Sequence, residues 1–174
     1  MQFASKITAL YDAALTLLYP QACTVCKVRS IESQADLPAC AECWGATRMF
    51  AVGSAVCWKC NLPLGTDVLL SEEQRTALRC HLCDDEVFTA ARAVGVYEGA
   101  LRASVLSLKS TPHLGARLAK SLCETLMRNP LNTVTQIVPV PLATERERER
   151  GFNQATILAA LSRRAIACRL MSRV

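Results

Sequence analysis

Four Cys-x-x-Cys pairs occupy the first half of the sequence: Cys23/Cys26, Cys40/Cys43, Cys57/Cys60 and Cys80/Cys83, which hold eight of the ten cysteines. Two residues between cysteines let both thiolates face one ion, while N–H groups of the turn point at the sulfurs. Two such knuckles complete the tetrahedron of four thiolates that structural zinc prefers. One pair alone is equally compatible with redox chemistry. Four pairs separated by 13, 13 and 19 residues predict two structural Zn2+ ions held by these eight cysteines. Their sharing stays open: sequential (23/26/40/43 and 57/60/80/83) or interleaved (23/26/57/60 and 40/43/80/83). Shorter closed loops lose less entropy and favour the sequential order. Trp44 and Trp58 each adjoin a knuckle cysteine and are expected to cover the metal sites. His81 lies inside the fourth pair and is needed as a ligand only if one of its cysteines is not.

Half of the chain is hydrophobic (51%), yet residues 20–90 contain few long apolar runs. That stretch lacks the surface to fold on burial alone, and structural zinc, at roughly 10–16 kcal/mol per site, supplies what the core does not. A disulfide framework is disfavoured, because adjacent knuckles would close strained small loops and no secretion signal is evident. Phe3, Ile7, Leu10, Ala14, Leu17 and Leu18 recur at helical spacing, interrupted by Lys6 and Asp12, so residues 1–19 read as an amphipathic helix ending at Pro20. No run approaches the ~20 apolar residues of a membrane span, and a cytoplasmic location is expected.

The texture changes near Arg92. Residues 92–97 read as a strand, and 99–109 as a helix with Leu101, Val105 and Leu108 on one face. A second helix runs from Pro112 to about Arg128, with Leu114, Leu118, Leu122 and Leu126 at i+4 spacing. Residues 134–140 are β-branched and read as a buried parallel strand. Asn153 can cap a last helix over 154–167. This order predicts three parts: the N-terminal helix (1–19), a double zinc ribbon (20–90) and an incomplete α/β domain (91–174). An incomplete sheet would leave an unpaired edge prone to aggregation. Cys123 and Cys168 lie in apolar helical contexts and read as packing residues.

Charge divides the same way. Residues 1–100 carry 8 Lys/Arg against 11 Asp/Glu, and residues 101–174 carry 12 against 4. The basic half is the side that attracts phosphates. Within it, Thr144-Glu-Arg-Glu-Arg-Glu-Arg150 allows two conformations. Extended, Arg146, Arg148 and Arg150 share one face and can clamp a pyrophosphate through bidentate guanidinium contacts. Helical, the segment is a solvated surface with opposite charges three apart and like charges four apart.

Several segments together resemble the ComF family, competence-associated phosphoribosyltransferase-like proteins. The double zinc ribbon with Cys57-Trp-Lys-Cys60-Asn-Leu-Pro-Leu64 carries the resemblance, as does Tyr97-Glu-Gly-Ala-Leu101 followed by Leu108-Lys109. Val138-Pro-Val-Pro-Leu142 leading to Arg148-Glu-Arg-Gly-Phe-Asn-Gln154 completes it. The resemblance covers essentially the whole chain. It implies an α/β type I phosphoribosyltransferase-like second half that handles phosphoribosyl pyrophosphate (PRPP) with Mg2+. Lys109, Arg148, Arg150, Asn153 and Gln154, with Arg146 beside them, are then candidate contacts to phosphates or to a nucleotide substrate.

Two features depart from the family pattern. Ser110-Thr-Pro-His113 follows Lys109 where an aromatic and further basic residues are usual. An apolar strand ending in two acids and a Thr-Thr-Gly loop, the family's ribose-phosphate cradle, does not occur in 92–174. The expectation is therefore a C-terminally truncated homologue, inactive alone, with Mg2+ and PRPP relevant only to a complete relative. The competing expectation is an accessory protein without catalysis, which binds single-stranded DNA or the DNA-uptake machinery. A thiol redox role needs a thioredoxin-like βαβ unit around a Cys-x-x-Cys pair, and none is legible.

Overall fold

The computed structural model describes residues 20–65 and 68–171, with side chains to Arg163. The helix expected over 1–19, and the side chain of Cys168, lie outside the described residues. Two similar units open the described chain. In the first, Ala22 and Ser30 form an antiparallel bridge around the Cys23/Cys26 knuckle, and Cys23 N–H donates to Arg29 O (2.8 Å). In the second, Val56 bridges Pro63, and Cys57 N–H donates to Leu62 O (2.8 Å). Lys27 (φ 59°) and Asn61 (φ 67°), each one residue after a knuckle, adopt the left-handed conformation that lets the chain reverse. Each unit then makes a helical turn and returns with its second cysteine pair.

The first return is α1, Ala41–Ala46. The second passes through α2, Glu72–Ala77, whose start is fixed by a reciprocal capping box between Ser71 and Gln74. Four more helices follow: α3 (Gly99–Ser107), α4 (Ala116–Leu126), α5 (Thr144–Arg150) and α6 (Gln154–Met171). Gly151, left-handed at φ 75°, ends α5 by donating its N–H to Glu147 O (2.8 Å). Asn153 Oδ1 accepts from Ala155 N (2.9 Å) at the start of α6, the cap expected from its sequence.

The main core joins the first cysteine unit to α3 and α4. Cys23, Ile31, Ala39, Cys40 and Trp44 are buried against Val94, Ala100, Leu101 and Leu118, with Leu114 and Leu122 packed alongside. The leucine row of α4 thus faces the metal-ligand unit. Full burial of a leucine side chain stabilises by about 1.5–3 kcal/mol, so Leu101 and Leu118 are substantial contributors. Gly115 makes the approach possible, because a Cβ there would collide with the carbonyl of Leu37. Asp36 anchors the contact: its carboxylate accepts from Arg117 Nε (2.6 Å), and its backbone carbonyl accepts from Trp44 Nε1 (2.6 Å).

The expected α/β domain is not what the described residues form. Among them no β-ladder is present, and the bridges are isolated. The segment 92–97, expected to begin a parallel sheet, instead folds back antiparallel on the end of the first unit. Phe50 N–H donates to Val94 O and Val96 N–H to Arg48 O, both at 2.9 Å. On either side of this pairing, Asn61 Oδ1 accepts the Ala93 N–H (2.6 Å) and Thr47 Oγ1 accepts the Ala100 N–H (2.9 Å), so side chains rather than a second strand hold the segment. Residues 134–140 are neither helix nor strand: a strand exists only with a partner to complete its hydrogen bonds, and no described segment supplies one. Packing also crosses the boundary expected near residue 91, since Val94, Ala100, Leu101 and Leu118 share a core with Cys23 and Cys40.

Thr47 is the pivot of this junction. Its buried hydroxyl donates to Cys43 O (2.7 Å) and accepts from Ala100 N, so a cysteine-unit residue caps α3 where Glu98 provides no side-chain cap. Thr47→Val keeps the shape but orphans both groups, and is expected to destabilise the fold by about 1–3 kcal/mol, measured as a lower midpoint in urea unfolding. An unchanged midpoint would show that water replaces the hydroxyl.

Candidate metal centres

The eight cysteines form two clusters in chain order, Cys23/Cys26/Cys40/Cys43 and Cys57/Cys60/Cys80/Cys83, with all sulfurs of a cluster within 4.8 Å of one another. The interleaved alternative is excluded. His81 is exposed and belongs to neither cluster. Measured Sγ···Sγ separations are 3.7 Å (Cys23–Cys43), 4.0 Å (Cys26–Cys40), 3.9 Å (Cys57–Cys83) and 3.5 Å (Cys60–Cys80). A tetrahedron with metal–sulfur bonds of about 2.3 Å has edges of about 3.8 Å. A disulfide requires about 2.05 Å, so these are free thiols arranged for one ion per cluster.

The backbone supports this in the same way twice. Cys40 N–H donates to Cys23 Sγ, and Cys80 N–H to Cys57 Sγ, both at 3.3 Å. Burial alone would raise the Cys23 thiol. N–H groups of Cys26, Cys40 and Val25, with the Cys26 thiol, outweigh it and bring Cys23 down to about 6. Cys57 is likewise brought to about 6 against burial, by N–H groups of Cys60, Cys80 and Lys59 and by the Cys80 thiol. Burial and the neighbouring thiols push Cys43 up to about 12, and the same causes raise Cys83. Backbone N–H groups lower Cys26 as well, so without a cation each cluster favours partial ionisation and resists full deprotonation. A divalent ion reverses that logic and deprotonates all four.

The centres differ in their surroundings. The first is enclosed by the main core. The second core cluster consists of Cys57, Cys80 and Cys83, with Cys60 and Leu64 against it, so apart from Leu64 its interior is ligand. Trp44, beside the first centre, is buried as expected of a cover. Trp58, beside the second, is half-exposed and carries the Arg92 guanidinium 4.5 Å from its ring centroid. Lys59 Nζ donates to Cys83 O (3.1 Å) and places a cation beside a ligand set that would be formally anionic around a divalent ion.

The expected phosphate contacts are not gathered into a site. Arg146, Arg148 and Arg150 lie on helix α5, where residues two apart point to opposite sides. The extended, three-guanidinium face is therefore not the conformation present. Asn153 is engaged in its cap and donates to Val140 O (3.0 Å), and Gln154 is the first residue of α6. Lys109 lies exposed just beyond α3. The arrangement present is not the extended three-guanidinium clamp.

Four residues that sequence reasoning passed over hold the centres in place: Thr47, Asn61, Arg92 and Arg117. Asn61 carried a signal, since asparagine directly after a knuckle suits a left-handed position. The other three act through contacts 34 to 81 residues distant in sequence, which no local pattern reveals.

Fold and site together define a helical protein with two four-cysteine clusters, each arranged to hold one metal ion. Comparison with protein-family models, with curated proteins and with solved structures found no match. Among the described residues no helix is long and apolar enough to cross a membrane.

Two metal equivalents per chain are expected by elemental analysis, falling to one in Cys26→Ser and one in Cys60→Ser. Loss of both ions in either variant would contradict two separate centres. Because the Cys23 and Cys57 thiols sit below their ordinary value of 9.0, their ionisation favours the fold fully above pH 9. That contribution fades as pH falls through about 6. Metal release, followed with a chromogenic chelator, should therefore rise as pH is lowered from 8 to 5. Release independent of pH would refute thiolate ligation.

Proposed function

We propose that this chain is a zinc-folded protein of the ComF type, serving DNA uptake or utilisation, and that the described residues act by binding rather than by catalysis. The observation that carries the reading is the coexistence of two sequentially ligated four-cysteine clusters with the motif segments 57–64, 97–109 and 138–154. We assign Zn2+ to both clusters, since four thiolates at tetrahedral spacing suit it and a structural role needs no redox change.

The phosphoribosyltransferase-like half enters only as part of this proposal. Supporting it, Val138 and Val140 stand 74% and 75% exposed on the β-branched segment, as side chains do on a strand whose neighbours are not beside it. Opposing catalysis, the candidate phosphate residues are dispersed over α5, the α6 cap and the end of α3. No pair of acids before a glycine-rich loop occurs in 92–174.

Isothermal titration tests both parts. The zinc-loaded chain is expected to bind single-stranded DNA with an affinity that falls as salt rises, and to give no Mg2+-dependent heat with PRPP beyond that of inorganic phosphate. No DNA binding at low salt would overturn the DNA role. Saturable, Mg2+-dependent PRPP binding that inorganic phosphate does not compete would overturn the non-catalytic assignment and favour a phosphoribosyltransferase.

A further inference from the structure

Four arginines converge beside the second metal centre, and none has a carboxylate partner within ion-pair distance among the described residues. The Arg92 and Arg75 guanidiniums lie 4.5 and 5.7 Å from the centroid of the same Trp58 ring. Arg92 is fixed: Nη1 donates to Trp58 O (2.6 Å), and Nε and Nη2 donate to Asn129 O (3.2 and 3.0 Å). Arg128, adjacent to Asn129, donates from Nη1 to Phe50 O (3.0 Å). Arg79, two residues beyond α2, bonds only to nearby carbonyls of its own segment.

The group is anomalous in two respects. The Arg75 guanidinium makes no hydrogen bond or ion pair with any described residue, and its Nε is buried without a partner, as is Arg128 Nε. Buried cationic N–H donors left unpaired are costly, and such a group in a folded protein calls for a ligand or ion. The charges also oppose one another. Burial, then the charges of Arg75 and Arg79, lower Arg92, while burial and Arg75 lower Arg128. The acids nearby offset this only in part, Glu124 acting on Arg128. Glu72 accepts from Asn129 Nδ2 (3.4 Å), and Glu124 is paired with Lys120 (3.9 Å).

We propose that Arg75 and Arg92, stacked on Trp58 at the second cysteine unit, with Arg79 and Arg128 beside them, form a binding site for a phosphate group. Arg92 is the fixed wall, held by backbone carbonyls. Arg75 and Arg128 supply the unpartnered Nε–H donors that a tetrahedral oxyanion accepts, and exposed Arg79 adds a solvent-facing charge. Guanidinium forks match phosphate oxygens in this manner. The site is separate from the arginines of α5 and does not depend on the family reading. The phosphate can arrive as a free or monoester group, or as the diester backbone of a single strand.

The test uses the full zinc-loaded chain and two probes, inorganic phosphate and an oligothymidylate with free hydroxyl ends. Binding of either probe is expected, weakened about tenfold or more in Arg75→Gln and in Arg79→Gln, the size of a lost charge-assisted hydrogen bond. Arg102→Gln, on exposed helix surface, should change nothing. Zinc content and far-UV circular dichroism verify that each variant is folded, and exposed Arg79 keeps the test valid if Arg75→Gln is not. Phosphate binding alone assigns the monoester form, and oligonucleotide binding assigns the diester. Failure of both probes to bind, or equal binding by wild type and both cluster variants, overturns the proposal, whatever the outcome with PRPP.

Discussion

Coordination of four thiolates to one cation is the interaction on which the rest of this structure depends. Each cluster brings four acidic groups within 4.8 Å, an arrangement that repels itself as soon as more than one ionises. The cation makes all four charges favourable together. The scarcity of long apolar runs in residues 20–90 fits that: among the described residues, Leu64 is the one non-cysteine hydrophobic side chain packed against the second cluster. Metal binding of roughly 10–16 kcal/mol per site is comparable to the whole net stability of a typical domain, about 5–15 kcal/mol.

The helical half is built outward from the first centre. Cys43 O receives the Thr47 hydroxyl, and the same hydroxyl receives the Ala100 N–H, so a ligand residue and the start of α3 are two bonds apart. Asp36 performs the parallel task for α4 through Arg117, with Trp44 packed between them. Loosening the first centre therefore propagates into α3 and α4 through hydrogen bonds as well as through lost packing. The second centre has no such helical layer. Its outward face is Trp58 with the arginines around it, which makes it the more available of the two for a ligand.

Legibility in the sequence followed the range of the determining interactions. The eight cysteines, the starts of α3 and α6, and the core-facing side of α4 at Leu118 and Leu122 are legible in the sequence, because spacing and capping are local properties. Sequential ligand sharing was favoured by loop entropy and is the arrangement present. The two strands were misjudged for a non-local reason. Residues 92–97 have strand composition, but they form one bridge, Gly95 with Met49, and the N–H groups of Ala93 and Ala100 on either side go to the side chains of Asn61 and Thr47. Residues 134–140 have the composition without a partner. The charged segment 144–150 was balanced between two conformations, and the helix is the one that Gly151 can terminate.

The most direct measurement is near-UV circular dichroism of the intact chain during metal removal by a strong chelator, read on Trp44 and Trp58. If the two centres hold the fold, the tertiary signal and the cooperative thermal transition disappear as the ions leave, and both return when two equivalents of zinc are restored. A chelated, reduced chain that keeps its near-UV spectrum and melts cooperatively at the same temperature would contradict the account at its root.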